Sequence, residues 1–368
     1  MMDYDFIIVG AGLFGAVFAR EMTDAGKKCM VLEKRNHTGG NTFCKNIEDI
    51  NVHMYGPHIF HTKDKKIWDY VNSYVAFNHF RYMPLAYYDN TLFSLPFNMH
   101  TFYELWKTKT PIEAADAIQE QVRKSGISSP QNFEEQAIYS VGYDIYNKLI
   151  KGYTEKQWGK KATELPASIF RRLLINYTYN NNYFDDPYQG IPIGGYNVLI
   201  QRLLDGIEIL TNVDFLSTRA GWCQKSKKIV YTGKIDEYFD YRYGCLEYRS
   251  LDFEHELLAI KDYQGVAVVN YTDRNIEYTR IIEHKHFEFG NQSHTIITKE
   301  YPRNWSKGMD AFYPVNDSVN KQLYDQYKKL SSQDNQVIFG GRLGEYKYYN
   351  MDQVIASAIK KTKDLLYP

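Results

Sequence analysis

The stretch YDFIIVGAGLFGAVFARE, residues 4–21, restricts the possible folds more than any other part of the chain. Phe6 to Val9 form an apolar run short enough for a strand buried on both faces of a parallel sheet. Gly10, Gly12 and Gly15 follow in G-x-G-x-x-G spacing and open an apolar helix. In a dinucleotide site the first glycine makes the tight turn and the second lets backbone approach a pyrophosphate. The third lets helix and strand pack closely. Leu13 and Phe14, between the second and third glycines, start the helix whose free N–H groups face that pyrophosphate. A second strand, KKCMVLEKR, ends in Glu33, placed 23 residues after Gly10 to accept hydrogen bonds from a ribose.

The next segment, KRNHTGGNTF, carries Gly39 and Gly40 behind a basic Lys34–Arg35 lead-in. It resembles the second glycine motif of FAD-binding proteins in the glutathione-reductase structural group, which NAD dehydrogenases lack. That resemblance implies FAD, with Asn41 and the Gly39–Gly40 backbone along the pyrophosphate and ribityl chain.

Composition removes other classes. Lys plus Arg equals Asp plus Glu, 44 each, so bulk charge gives no reason to expect nucleic acid or an acidic membrane as partner. The N-terminus reads as a strand, not a signal peptide, and no run of 18 apolar residues predicts a membrane span. Cys29, Cys44, Cys223 and Cys245 show no C-x-x-C spacing and read as free thiols of a reducing compartment, by default the cytoplasm. The 33 tyrosines fit either a compositional bias or a ligand cleft lined with rings and hydroxyls. The motif YGPHIFHT, residues 55–62, holds His58 and His61 around a Gly-Pro turn. A metal, a flavin or a plain turn would each suit it. Metal is the poorest of the three, because the pair stands at i, i+3 outside a helix without a third ligand at recognisable spacing.

The chain changes texture after residue 77. TPIEAADAIQEQVRKSG has Ile112, Ala115, Ile118 and Val122 at helical spacing. Further helices are expected over SPQNFEEQAIYSVGYDIYNKLIKGYTEKQW and ELPASIFRRLLINY. Residues 216–304, from KKIVYTG to HTIITKEYP, alternate with period two and predict an antiparallel sheet. The last segment predicts a strand, a Gly-Gly-Arg turn and an amphipathic helix, with Asn350 as N-cap and Val354, Ile355, Ala358 and Ile359 on one face. The predicted fold is α/β. A Rossmann-like FAD-binding domain (1–77, 190–215 and 305–368) carries a helical domain (78–189, with a mobile substrate loop) and an antiparallel β-sheet domain (216–304).

Taken in order, GAGLFGAVFA, EKRNHTGGN, YGPHIFHT, LPFNMHTF, KGYTEKQWG, NNNYFDDPYQGIPIGGY, LEYRSLDFE and FGGRLGEYKYYNMDQVI resemble the bacterial type of UDP-galactopyranose mutase along essentially the whole chain. The resemblance implies an isomerase that interconverts UDP-galactopyranose and UDP-galactofuranose for cell-surface polysaccharide. In that family N5 of reduced FAD attacks the anomeric carbon, with no net redox change. It implies His58, His61 and Phe60 beside the flavin, Arg342 and Met351 as further flavin contacts, and the Val213 backbone beside the adenine of FAD. Arg172 and Arg249 would grip the diphosphate, and Tyr153 and Trp158 the uridine. Tyr183, Phe184, Asn270, Arg280, Tyr313 and Tyr348 would make further substrate contacts. A homodimer, and a mobile loop around Arg172, are also implied. Asn176, Asn350 and Tyr82 depart from residues frequent in the family, which leaves N-acetylated sugar nucleotides open. The competing readings are an amine-oxidase-like FAD oxidoreductase of the same fold and a binding protein with a structural FAD.

Overall fold

The computed structural model describes residues 2–167, 170 and 175–367. At its centre lies a five-stranded sheet in the order Val337–Phe339, Ser226–Tyr231, Tyr4–Val9, Cys29–Leu32, Glu208–Leu210. Every pairing in it is parallel. Strand periodicity sends alternate side chains to opposite faces. Phe6, Ile8, Val31 and Val230 pack beneath helices Leu13–Asp24, Tyr196–Leu203 and Met351–Leu366. Ile7, Met30, Leu32, Ile229 and Tyr231 face the other way, onto Phe215, Tyr238, Tyr327 and Tyr346. Both faces are therefore covered, which is why these strands read as continuous apolar runs.

The second sheet has seven strands: Tyr313–Pro314, Tyr248–Leu258, Thr295–Asn304, Arg280–Glu283, Val268–Tyr271, Leu85–Tyr88, Thr91–Ser94. It is antiparallel except where Val268–Tyr271 meets Leu85–Tyr88 in parallel. Its register strings candidate site residues together. Arg249 lies opposite both Tyr313 and Asn304, and Arg280 lies between Asn270 and Glu300. Directly opposed residues put their Cβ atoms about 5 Å apart on one face, so two short ladders concentrate charge and hydroxyls in one place. A helical layer, Met99–Trp106, Pro111–Ser125, Phe133–Ile145 and Gly152–Trp158, covers the edge that carries Ala86 and Phe93.

The expected α/β class is observed, but three boundaries move. KKIVYTG belongs to the parallel sheet: Ser226–Tyr231 runs beside the first strand, not within the antiparallel domain. The hairpin Leu85–Tyr88/Thr91–Ser94, inside the expected helical segment, joins the seven-stranded sheet, as does Tyr313–Pro314. That sheet is consequently mixed. Ile112 does not face the core. It is 73% exposed, while Ala114 and Ile118 are buried, so the inward stripe of helix Pro111–Ser125 is rotated from the expected one. No α-helix runs over the described part of ELPASIFRRLLINY, where Pro166 bridges to Asn132 and Ile175 to Phe97; residues 168, 169 and 171–174 lie outside the described residues. Among the described residues no helix is long and apolar enough to cross a membrane.

Helix Leu13–Asp24 sits so close to the first strand that a Cβ on Gly15 would stand 1.9 Å from the Gly10 carbonyl oxygen. Neither atom can retreat without parting helix from sheet. Gly15→Ala is expected to cost about 3 kcal/mol of stability through this overlap, read as a fall in the denaturant midpoint.

Candidate active site

The glycine turns leave a bare backbone cradle at the C-terminal end of the parallel sheet. Gly10, at φ +107°, turns the chain out of the first strand and donates its N–H to Leu32 O at 2.7 Å. Gly12 caps helix Leu13–Asp24 in an extended conformation, with no side chain over the helix N-terminus. A Cβ on Gly12 would meet only Gly40 Cα, at 3.8 Å, and one on Gly40 would meet Gly12 Cα at 3.1 Å. Two glycine backbones thus face each other across a space free of side chains. The Glu33 carboxylate is buried beside it, accepting from Ala11 N at 2.8 Å and Arg35 N at 2.9 Å. Bare N–H groups at a helix N-terminus, with an acid 23 residues on, fit the pyrophosphate and ribose of a dinucleotide such as FAD.

The other expected flavin residues separate into two groups. Gly39 N donates to Ala11 O at 2.8 Å, tying the second glycine turn to the first. Arg35 donates to Asn41 Oδ1 at 3.1 Å, and Val213 N donates to Glu33 O at 2.9 Å, so all three stay at the cradle. Arg342 donates to Phe312 O and Tyr349 O, and its guanidinium lies over the rings of Tyr313 and Tyr348. Met351 begins the last helix, half-buried. Lys34 points outward instead, into an ion pair with Asp214 at 2.9 Å. Leu13 and Phe14 are buried in the core beneath the cradle. Phe60 needs correction as a side-chain contact. It is 0% exposed and packs on Trp68 and Phe77, because strand Phe60–Thr62 turns alternate residues inward.

The motif YGPHIFHT is held by partners outside itself. His53 Nδ1 accepts the backbone N–H of His58 at 3.1 Å, so the His53 proton sits on Nε2. His58 Nδ1 stands 2.9 Å from Gly56 O, which fixes its proton there and leaves Nε2 as an acceptor. The His61 ring stacks on Phe184 at 3.7 Å and its Nδ1 pairs with the Asp186 carboxylate. The two histidines thus have separate partners. Burial holds His53 near pKa 3, with the neighbouring His58 acting the same way, and burial pushes His58 to about 4. His284, which accepts from His53 N, is pushed down for the same reason.

A cavity of about 380 Å³ lies between the helical layer and the seven-stranded sheet. Pro96, Phe97, Phe133, Leu149 and Ile150 contribute apolar wall. The same lining brings together Tyr153, Trp158, Tyr183, Arg249, Asn270, Arg280, Tyr313 and Tyr348, the residues expected as substrate contacts. Phe184 is not on its wall and serves His61 instead. Arg172 lies outside the described residues.

Arg249 is 5% exposed and donates to Gln157 O at 2.8 Å, to Lys156 O at 3.3 Å and to Asn304 Oδ1. Among the described residues no carboxylate pairs with it, and burial lowers its pKa. A buried guanidinium without a counter-ion is an anion site in waiting. Burial would also weaken the Arg280 charge, but Glu300, at 3.1 Å, and the phenols around it outweigh that and hold it protonated. Its guanidinium also donates to Tyr153 OH, and burial raises that phenol to about 12. Tyr153 therefore stays a hydrogen-bonding hydroxyl and is no base near neutrality. Two buried acceptors on the wall, Asn270 Oδ1 and Gln157 Oε1, have no hydrogen-bond partner. A cation without an anion, and acceptors without donors, suit a phosphorylated, hydroxyl-rich ligand.

Sequence reasoning missed Asp186, Asn304, Gln157, Lys156 and Glu300. Asp186 alone had a local signal, the carboxylate pair of FDDPYQG beside Tyr183 and Phe184. The others act through strand register or helix docking, which no local motif encodes.

Residues 148–348 match the family model of UDP-galactopyranose mutase, and residues 8–74 match that of an NAD(P)-binding Rossmann-like domain. A probable UDP-galactopyranose mutase of Klebsiella pneumoniae is 38% identical over 100% of this chain and 96% of its own length. A dTDP-fucopyranose mutase of Escherichia coli is 36% identical over 96% of each. A crystal structure of a reduced UDP-galactopyranose mutase shares the fold with a TM-score of 0.77. It is 14% identical, over 99% of this chain and 95% of that one.

The buried histidines set a pH dependence. His53 and His284 have folded pKa values below 6.5, so the unfolded chain binds more protons once pH falls below that value. Stability is then lost on acidification. Each is expected to remove about 2 kcal/mol between about pH 7 and about pH 5, read from urea unfolding at the two pH values. Their imidazole NMR signals are expected to stay at the neutral shift over this range.

Proposed function

The chain belongs to the UDP-galactopyranose mutase family, and on that premise we propose that it interconverts the pyranose and furanose forms of a nucleotide-linked galactose, with FAD as cofactor. The observation that carries this reading is the juxtaposition of uncompensated Arg249 with the orphaned acceptor Asn270 Oδ1 on the wall of one cavity. In this reading Arg249 and Arg280 neutralise the diphosphate, and Arg172 joins them by resemblance to the family. Tyr153 and Trp158 contact the base, and Asn270, Tyr183, Tyr313 and Tyr348 the sugar and its phosphate. The glycine cradle, Glu33 and Arg342 hold FAD. Reduced FAD, when bound, supplies a nucleophile for the anomeric carbon with no net redox change. The chain's own contribution is to stabilise the departing diphosphate electrostatically, to keep it close for its return, and to exclude water with the apolar residues of the cavity wall. His58 Nε2, left free of its proton, offers an acceptor at the flavin side. His61, fixed by Asp186 and Phe184, orients the turn.

UDP-galactose is the first substrate to test. The dTDP-fucopyranose mutase relative makes dTDP-fucose the second, since its identity to this chain is nearly the same. A role in cell-surface polysaccharide synthesis, a cytoplasmic location and a homodimer belong to the same proposal.

Chromatography of UDP-galactofuranose incubated with the purified flavoprotein, with and without dithionite, tests the reaction. Conversion only with reduced flavin is expected, and a lack of conversion of either sugar nucleotide in both states overturns the reading. Arg172→Ala is expected to lower turnover about 100-fold, and Asn270→Ala about 10-fold, with flavin still bound. Gly12→Val is expected to do the opposite, yielding colourless protein, because its side chain fills the cradle.

A further inference from the structure

Helix Gly152–Trp158 has two working faces. Tyr153, Thr154, Gln157 and Trp158 line the cavity. Gly152, Glu155 and Lys156 turn the other way, onto the connection between strands Val268–Tyr271 and Arg280–Glu283. That connection joins two site residues, since Asn270 and Arg280 are cross-strand partners. The docking is close. A Cβ on Gly152 would stand 2.3 Å from Thr272 O, and Glu155 lies 3.5 Å from the Arg274 guanidinium.

At the centre of this contact the Lys156 ammonium sits 2.8 Å from the carbonyl oxygens of Tyr271, Asp273 and Ile276 and 3.0 Å from that of Tyr278. One ammonium carries three protons, so four carbonyls converge on it as on a small cation. Backbone oxygens grouped in this way also coordinate potassium. Burial pushes the Lys156 charge down, to about 8, with Asp273 opposing it. The four carbonyls oppose it further, because only the protonated amine donates to three of them at once. The backbone of the same residue accepts from Arg249. One residue therefore touches the hairpin that spaces Asn270 from Arg280 and the guanidinium of Arg249, while its neighbours Tyr153 and Gln157 line the cavity.

We propose that Lys156 is a positioning residue: a tethered cation inside a four-carbonyl site that sets the distance between the helix and the Asn270–Arg280 hairpin, and with it the nucleotide affinity of the cavity. The proposal rests on the reading of the cavity as a site for a nucleoside diphosphate sugar. A consequence separates it from ordinary packing. Removal of the amine leaves a vacant carbonyl site that a free ammonium or potassium ion can fill.

The test uses flavin-loaded wild type, Lys156→Met and Lys156→Ala, with UDP as probe, in chlorides of tetramethylammonium, potassium and ammonium at matched ionic strength. Lys156→Met keeps the apolar stem and the fold but not the charge. It is expected to bind UDP about tenfold more weakly in every salt. Lys156→Ala is expected to lose a similar factor in tetramethylammonium and to recover most of it in ammonium or potassium. Wild type is expected to be indifferent to the choice of cation. UDP binding by Lys156→Met equal to wild type overturns the proposal, and so does a loss in Lys156→Ala that no small cation restores. Amide exchange over residues 271–279, read in the same samples, is independent of UDP. Faster exchange in Lys156→Ala, slowed again by ammonium, supports the tether, and unchanged exchange overturns it. Wild type that fails to bind UDP counts against the functional reading alone, and the exchange result still decides the role of Lys156.

Discussion

A buried guanidinium, Arg249, and a half-buried one, Arg280, line one cavity, and among the described residues Glu300 is the single carboxylate in ion-pair contact with them. An unpaired buried charge is among the most costly things a fold can contain. Much of the surrounding architecture answers that cost. Arg249 spends its donors on the carbonyls of residues 156 and 157 and on Asn304, across the junction of helix and sheet. Arg280 forms an ion pair with Glu300 and donates a hydrogen bond to Tyr153 OH, again one partner in the sheet and one in the helix. The same hydrogen bonds that make the charges tolerable therefore fasten the helical layer to the seven-stranded sheet. The residual positive potential, left uncancelled, is the functional quantity: it is what a diphosphate would supply with a counter-charge.

The histidines follow the opposite logic. His53 and His284 are nearly inaccessible; the backbone N–H of His53 donates to His284 Nδ1, and the Thr298 hydroxyl meets His284 Nε2. Burial keeps them neutral, so each can act as acceptor on one nitrogen and donor on the other. Neutral imidazoles can hold the turn at His58 without adding a charge to it.

Legibility in the sequence followed the range of the interaction. The cradle was readable because Gly10, Gly12, Gly15 and Glu33 act within one strand–helix–strand unit, and their spacing is itself the geometry. Helix Pro111–Ser125 was readable from periodicity, yet its inward face was misjudged at Ile112, since two neighbouring apolar stripes differ only in what tertiary packing offers them. KKIVYTG alternates like a member of an antiparallel sheet but pairs in parallel with the first strand, more than 200 residues away in sequence. The hairpin at Leu85–Ser94 likewise joined a sheet whose other strands begin far downstream. Strand partners of this kind are chosen by which edges remain open, and no local window reports that.

By itself the sequence determined the chemistry on offer: a dinucleotide cradle without side chains, a turn bearing two histidines, and arginines and tyrosines in motifs that resemble one enzyme family. Those features are local, carried by residue type and spacing. Tertiary structure alone decided which of them share a cavity and in what electrical state. It sent Phe60 inward and Lys34 outward, gave Asp186 to His61, and set Lys156 among four carbonyls of a distant hairpin. The physical reason is that burial, counter-ion supply and cross-strand register are properties of the packed whole. They fix the energy of a charge or an orphaned acceptor only after the layers have closed around it.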